Sequence, residues 1–221
     1  MELEEDNVNE MSMETDKDVG PNENGQIAIS GHIKIFDPIS GEVLVDKRNA
    51  IHYENISEAL ANSLSNKNIG QIYSMAFGNG GSSVDPTGVI TYLPPNTTGQ
   101  NANLYNPTYA KVVDNNSAAN TDTSRNKLTV THTTGKVYTD ILVSCLLDYG
   151  EPSGQQAFDN STDFNGDYVF DELGLKVWNG STTNLRLITH VIFHPVQKSL
   201  NRQIQIDYTV RIQTLTNLSA T

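Results

Sequence analysis

The segment RQIQIDYTVRIQTL (202–215) constrains the fold more than any other stretch of the chain. Ile204, Ile206, Tyr208, Val210 and Ile212 alternate without a fault with Gln203, Gln205, Asp207, Thr209 and Arg211. Successive side chains on a strand point to opposite faces, so this pattern makes a strand with one face on a core and one towards water. On a helix the same apolar residues would be spread round the whole circumference and would bury nothing together.

A chain with one such strand needs partners for it, and the sequence supplies them. Ile27, Ile29, Ile33 and Ile35 share a face of QIAISGHIKIF, with Gly31 expected as a bend or bulge. DPISG (37–41) has turn chemistry, and EVLVDKRNAI returns as the second arm of a hairpin. Further strands are expected in IGQIYSMAFG, TYAKVV, KLTVTHT, KVYTDILVSCLLDY, YVFDELGLKVWNG and LRLITHVIFHPV, with VITYL as a short extra one. The count is eight to ten strands and one helix. Charged residues are only 18% of the chain, which suits short strands joined by turns better than a helical bundle. The expected fold is mainly β, an antiparallel β-sandwich with one short helix, long loops and an extended acidic N-terminal arm.

The helix is expected after NAIHYENISEALANSL (49–64). Asn55 would cap it, with Glu58 completing a capping box and Ile56, Ala59, Leu60 and Leu64 forming the apolar stripe. His52 and Glu54 then fall in the preceding turn. Without a third group beside them they read as hydrogen-bonding residues of a strand-to-helix corner. Residues 78–107 and 114–126 are insert loops in a single domain spanning 26–221, and the first is long enough to expect a binding role.

Charge is uneven. Residues 1–24 hold nine acids and one base, Lys17, which is −8 of the chain's −12 and leaves −4 for the other residues. The arm, 1–25, offers four apolar anchors: Leu3, Val8, Met11 and Met13. Composition of that kind does not bury enough apolar surface to fold alone, so the arm is expected to order against neighbouring chains. No basic cluster exists to meet a phosphate backbone, so no nucleic acid is expected. No apolar stretch approaches the ~20 residues of a membrane span, and no charged start is followed by an apolar signal core. With Cys145 as the lone cysteine, the expected folding environment is reducing and aqueous.

Motifs with catalytic or metal-binding associations each have a plainer reading. Gly78, Gly80 and Gly81 of GNGG lead into turn and strand rather than a helix, and no lysine follows, which excludes a phosphate loop. His190 and His194 stand four apart in a β-branched segment closed by Pro195. At ~3.3 Å per residue their rings lie roughly 13 Å apart and share no metal. DFNGD (163–167) lacks the acidic ligand a calcium loop needs at its twelfth position, which is Gly174. Cys145 lies in DILVSCLLDY as a small hydrophobe. No catalytic, cofactor or metal site is expected.

Two stretches carry a resemblance. GHIKIFDPISGEVLVDKRNAIHYENISEALANSL (31–64) is similar to the start of virion structural proteins of tailed bacteriophages. The series FGNGG, DELGLKVWNG and LITHVIFHPVQKSLNRQIQIDYTVRI resembles the β-sandwich at the attachment end of tail-fibre and tail-collar proteins. In that element a glycine-rich strand end is followed far downstream by Glu-x-Gly-Leu, here Glu172, Leu173, Gly174 and Leu175. The resemblance implies a non-enzymatic structural component of the tail, baseplate or fibre attachment. It is assembled in the host cytoplasm, with other virion proteins and copies of itself as partners. No shaft repeats and no receptor-binding tip follow Thr221, which within the resemblance favours an adaptor, a baseplate or neck component, or a surface decoration. A head decoration or neck protein is the alternative in the same class. A carbohydrate-binding module is the alternative from another class, with TYLPPN, NLYNP and Trp178 as sugar-stacking candidates. Residues assigned to assembly are Leu3, Val8, Met11, Met13, Pro94, Pro95, Tyr105 and Tyr109.

Overall fold

In the computed structural model, residues 25–153 and 168–216 are described. The strands are β1 (Gly25–Phe36), β2 (Val43–Arg48), β3 (Ala50–Ile51), β4 (Ile72–Gly78), β5 (Ser82–Val84), β6 (Ile90–Tyr92), β7 (Pro107–Val112), β8 (Lys127–His132), β9 (Tyr138–Leu147), β10 (Val169–Val177), β11 (Arg186–Leu187), β12 (Thr189–Gln197) and β13 (Ile204–Thr216). One helix, α1 (Tyr53–Leu64), lies between β3 and β4. The expected arm and DFNGD fall outside the described residues.

The alternating segment at the C-terminal end does what its pattern requires. β13 lies at the centre of a five-stranded antiparallel sheet, order β2-β1-β13-β9-β8. Ile204, Ile206, Tyr208 and Val210 are buried, and their polar alternates are half-exposed on the other face. The second sheet runs β3-β12-β10-β4-β7, with β11 beside β10. One cluster of buried side chains fills the space between, including Ile33, Val143, Cys145, Ile206 and Tyr208 from the first sheet and Met75, Phe77, Leu175, Val191 and Phe193 from the second. This is the expected mainly β sandwich. Every residue of β4 is buried because its outer face is also covered. Leu104, from the long loop, packs there on Ala76 and Leu187.

Four local expectations are corrected. The chain has thirteen strands among its described residues rather than eight to ten, because EVLVDKRNAI breaks into β2 and β3, LRLITHVIFHPV into β11 and β12, and the three-residue β5 carries too little pattern to read. Gly31 is no bulge: β1 pairs with β13 without a break from Gly25 to Phe36. A Cβ at Gly31 would stand 2.1 Å from Asn49 Oδ1, so the glycine makes room where Asn49 crosses the strand. Pro195 does not close its strand but lies inside β12, where the register against β10 shifts between Phe170 and Glu172. A proline inside a sheet is tolerated at such an irregularity. Finally, Asn55 is not the helix cap. His52 caps α1, its Nδ1 accepting from Asn55 N–H at 3.2 Å, and Glu54 lies exposed in the first turn.

Candidate functional site

The long loop between β4 and β7 is held from beneath by two adjacent carboxylates on β10. Asp171 and Glu172 stand at the register shift against β12. On a regular strand, neighbours point to opposite faces; a bulge re-aims one of them. Here both reach the same turn. Glu172 Oε1 accepts from Gly80 N–H (3.1 Å) and Asn106 N–H (2.8 Å), and Oε2 accepts from Tyr105 N–H (2.9 Å) and His190 Nε2 (3.0 Å). Asp171 accepts from Gly81 N–H (2.9 Å), Ser82 N–H (2.7 Å) and the Ser82 hydroxyl (2.5 Å).

The glycines explain themselves at this point. Gly78 pairs directly with Glu172 across β4 and β10. A Cβ on Gly78 would lie 2.5 Å from Glu172 Oε1, and one on Gly80 would lie 2.7 Å from Asn106 N. The GNGG turn therefore does present backbone N–H groups to anions, as glycine-rich turns do, but the anions are the chain's own side chains. Gly174 has the same kind of reason: a Cβ there would stand 2.5 Å from Leu187 Cδ1 and from Thr189 O.

Two buried histidines continue the anchoring. His190 Nδ1 accepts from Asn96 N–H at 2.7 Å, so its proton sits on Nε2 and is donated to Glu172. His52, with Nδ1 accepting from Asn55, donates from Nε2 to Gly99 O at 2.9 Å. Asn55 donates to Leu187 O and to Gln100 O, and Arg186 also reaches Gln100 O. The expected corner role of His52 is seen, extended to a loop 47 residues away in sequence; Glu54 takes no part in it.

Electrostatics separate the two carboxylates. Burial pulls the Glu172 carboxyl upward, but the hydrogen bonds from His190 and the loop N–H groups outweigh it and hold the group below its ordinary value. Asp171 goes the other way: burial outweighs its hydrogen bonds, and the neighbouring Glu172 charge adds to the rise. Glu172 and His190 side chains are 0% exposed and engaged on all the sides described, so the cluster positions a loop and offers no free base to an incoming molecule.

Among the side chains the anchored loop presents are several apolar and aromatic ones. Val89, Tyr92, Leu93, Pro94, Pro95 and Tyr105 are exposed on it. Tyr105 donates its hydroxyl to Pro94 O (2.7 Å), and Leu93 N–H donates to Gly81 O (2.8 Å). Of the residues assigned to assembly, Pro94, Pro95 and Tyr105 are thus brought together. Leu3, Val8, Met11 and Met13 lie outside the described residues. Tyr109 is elsewhere, half-buried on β7 against Phe77 at the rim of a separate cavity of about 650 Å³. The charged walls of that cavity are already paired, Lys111 with Glu151 and Arg125 with Asp122 and Asp148.

The remaining candidates take structural positions. Cys145 is fully buried, and burial pushes its thiol up to about 12. Trp178 packs at a tilt against Tyr73, with ring centroids 4.9 Å apart, so its ring is a packing element. On β12, His190 is buried while His194 is exposed and meets Tyr92 OH at 3.3 Å. Among the described residues no three His, Cys, Asp or Glu side chains are grouped so that they could hold a metal ion. The signal for the anchoring cluster was present in the sequence: two acids and a histidine inside apolar strand segments, where burial demands partners. No protein-family model, no curated protein and no solved structure matches the chain.

Proposed function

We propose that the chain is a non-enzymatic structural protein of a tailed-phage virion, acting in the tail, baseplate or fibre attachment. The observation that carries this reading is the long loop held rigid from below by Glu172, Asp171, His190 and His52. An exposed rim of Tyr92, Leu93, Pro94, Pro95 and Tyr105 is fixed before any partner arrives. Pre-organised apolar and aromatic rims lose little entropy on docking and are the substance of protein–protein interfaces. FGNGG and DELGLKVWNG, two members of the series that resembles the tail-fibre and tail-collar sandwich, are the two halves of this anchor, which gives their co-occurrence a physical reason.

The test is particle composition. Mass spectrometry of particles purified from the phage or prophage encoding this chain should find it at a fixed copy number. Antibody-labelled electron microscopy should place it on the tail side. Its absence from purified particles while it is abundant in the host lysate would overturn the reading.

A further inference from the structure

The five-stranded sheet outruns its cover where β1 begins. Cross-strand rows show this in steps. Ile33, Tyr208 and Val143 form a buried row; in the next, Gly31 and Val210 are buried but Ile141 is half-exposed and Val130 is 67% exposed. Ile29 and Ile212, paired one step further, are half-exposed, and Ile27 beyond them is 62% exposed. The same corner has an open strand edge. β2 pairs with β1 only from His32 to Phe36, and Asn49 N–H closes on Gly31 O, so Gly25–Ser30 has no described ladder partner on the side away from β13.

Edges are ordinarily guarded by charge or proline. β2 carries Asp46, Lys47 and Arg48; β7 carries Pro107 and Lys111; β8 carries Lys127. Residues 25–30, GQIAIS, carry neither charge nor proline and alternate apolar side chains towards the uncovered face. An edge of that composition accepts a strand.

We propose that this edge is filled by the N-terminal segment of a second copy of the chain, with Met11 and Met13 laid opposite Ile29 and Ile27. Residues 10–14 read Glu-Met-Ser-Met-Glu, a period-two pattern. In antiparallel register the two methionines share the apolar face with the two isoleucines. Ser12 then lies opposite Ala28, and Glu10 and Glu14 lie opposite Ser30 and Gln26, where no acid opposes them. The added ladder supplies the backbone hydrogen bonds that four scattered apolar side chains cannot replace. A second copy is the source because of chain length. Within one chain the same register leaves all of residues 16–24 as the hairpin loop, against the roughly 2–5 residues such loops use. As a linker, those residues span up to about 30 Å, enough to reach a neighbour.

The inference deepens the assembly reading by naming a partner. It is tested on purified chain, so it can fail while the chain is still found in particles. Sedimentation of the full chain should show concentration-dependent self-association. Deleting residues 2–14, or substituting Met11→Asp with Met13→Asp, should reduce it at least tenfold, as should Ile27→Asp at a site already exposed. A labelled peptide of residues 6–16 should bind the deleted chain and not its Ile27→Asp form. The proposal is overturned by a full chain that stays monomeric at every concentration, including one whose residues 8–14 are protected from hydrogen exchange. It is overturned equally by self-association that survives the deletion.

Discussion

Two regions leave apolar surface facing outward, and they do so by opposite means. Around the long loop the chain buries two carboxylates, two histidines and an asparagine to fix irregular backbone, and the apolar rim rides on that foundation. At the corner where β1 begins, regular strands simply continue beyond their cover, leaving Ile27 and Val130 exposed. Regular backbone satisfies its own hydrogen bonds in the ladder; a loop must find partners elsewhere. The first region should therefore be fragile to single polar changes and the second indifferent to them.

The largest expected effect is at Glu172. Glu172→Gln keeps the shape but turns an amide N–H₂ towards backbone N–H groups, and should destabilise by about 2–4 kcal/mol in chemical denaturation. A loss below about 1 kcal/mol would mean that the loop does not depend on its anchor, and the contrast between the regions would vanish. Gly78→Ala attacks the same contact from the loop side, placing a Cβ against Glu172 Oε1 and Asn106 O, and should cost about 1–3 kcal/mol.

A core substitution calibrates these values. Cys145→Ala removes one buried sulfur from the sheet interface opposite Ile206, and should cost about 1–2 kcal/mol with no change in self-association. If it exceeds the Glu172 substitution, ordinary packing rather than polar anchoring dominates the loop end.

Acid pH separates the two carboxylates. Glu172 sits below its ordinary value, so its contribution is present above the unfolded carboxylate range, about 4.3, and is lost as pH falls through its lower folded value. Asp171 sits above its ordinary value of about 3.9, so its ionisation lowers stability as pH rises from there. The slopes oppose each other. Glu172→Gln should flatten the rise of stability with pH in the acid range, and Asp171→Asn should steepen it. Equal slopes in both variants would contradict the opposed shifts.

The regular parts of this fold were legible because period-two alternation is a strong constraint. β13, β1 and β9 stand where the sequence puts them, and Cys145 is buried as its apolar run demands. The acids and histidine of the anchor left a signal as polar residues in apolar strands, but their partners were not legible, because His52 and Gly99, Gly80 and Glu172, and Asn96 and His190 stand 47, 92 and 94 residues apart. Local reading also misplaced the cap. Asn55 has the right chemistry for an N-cap, but its side chain is drawn inward to Leu187 O, and His52 takes the position instead.

The smallest expected effect is the most discriminating for the corner. Ile27→Asp replaces a side chain that is 62% exposed, with Ala28 and Gln26 beside it and Thr214 across the ladder. Nothing buried loses a contact with its core, so monomer stability should change by no more than about 0.5 kcal/mol. In a second copy's arm, however, the same position would face Met13, and a carboxylate buried there without a partner is strongly unfavourable. The expected outcome is a split: unchanged denaturation of dilute monomer together with lost self-association. At Glu172 no such split is possible, since the anchor acts inside the monomer. If Ile27→Asp instead lowers monomer stability by 2 kcal/mol or more, the isoleucine is already covered within its own chain, and the two regions differ less than their exposure suggests.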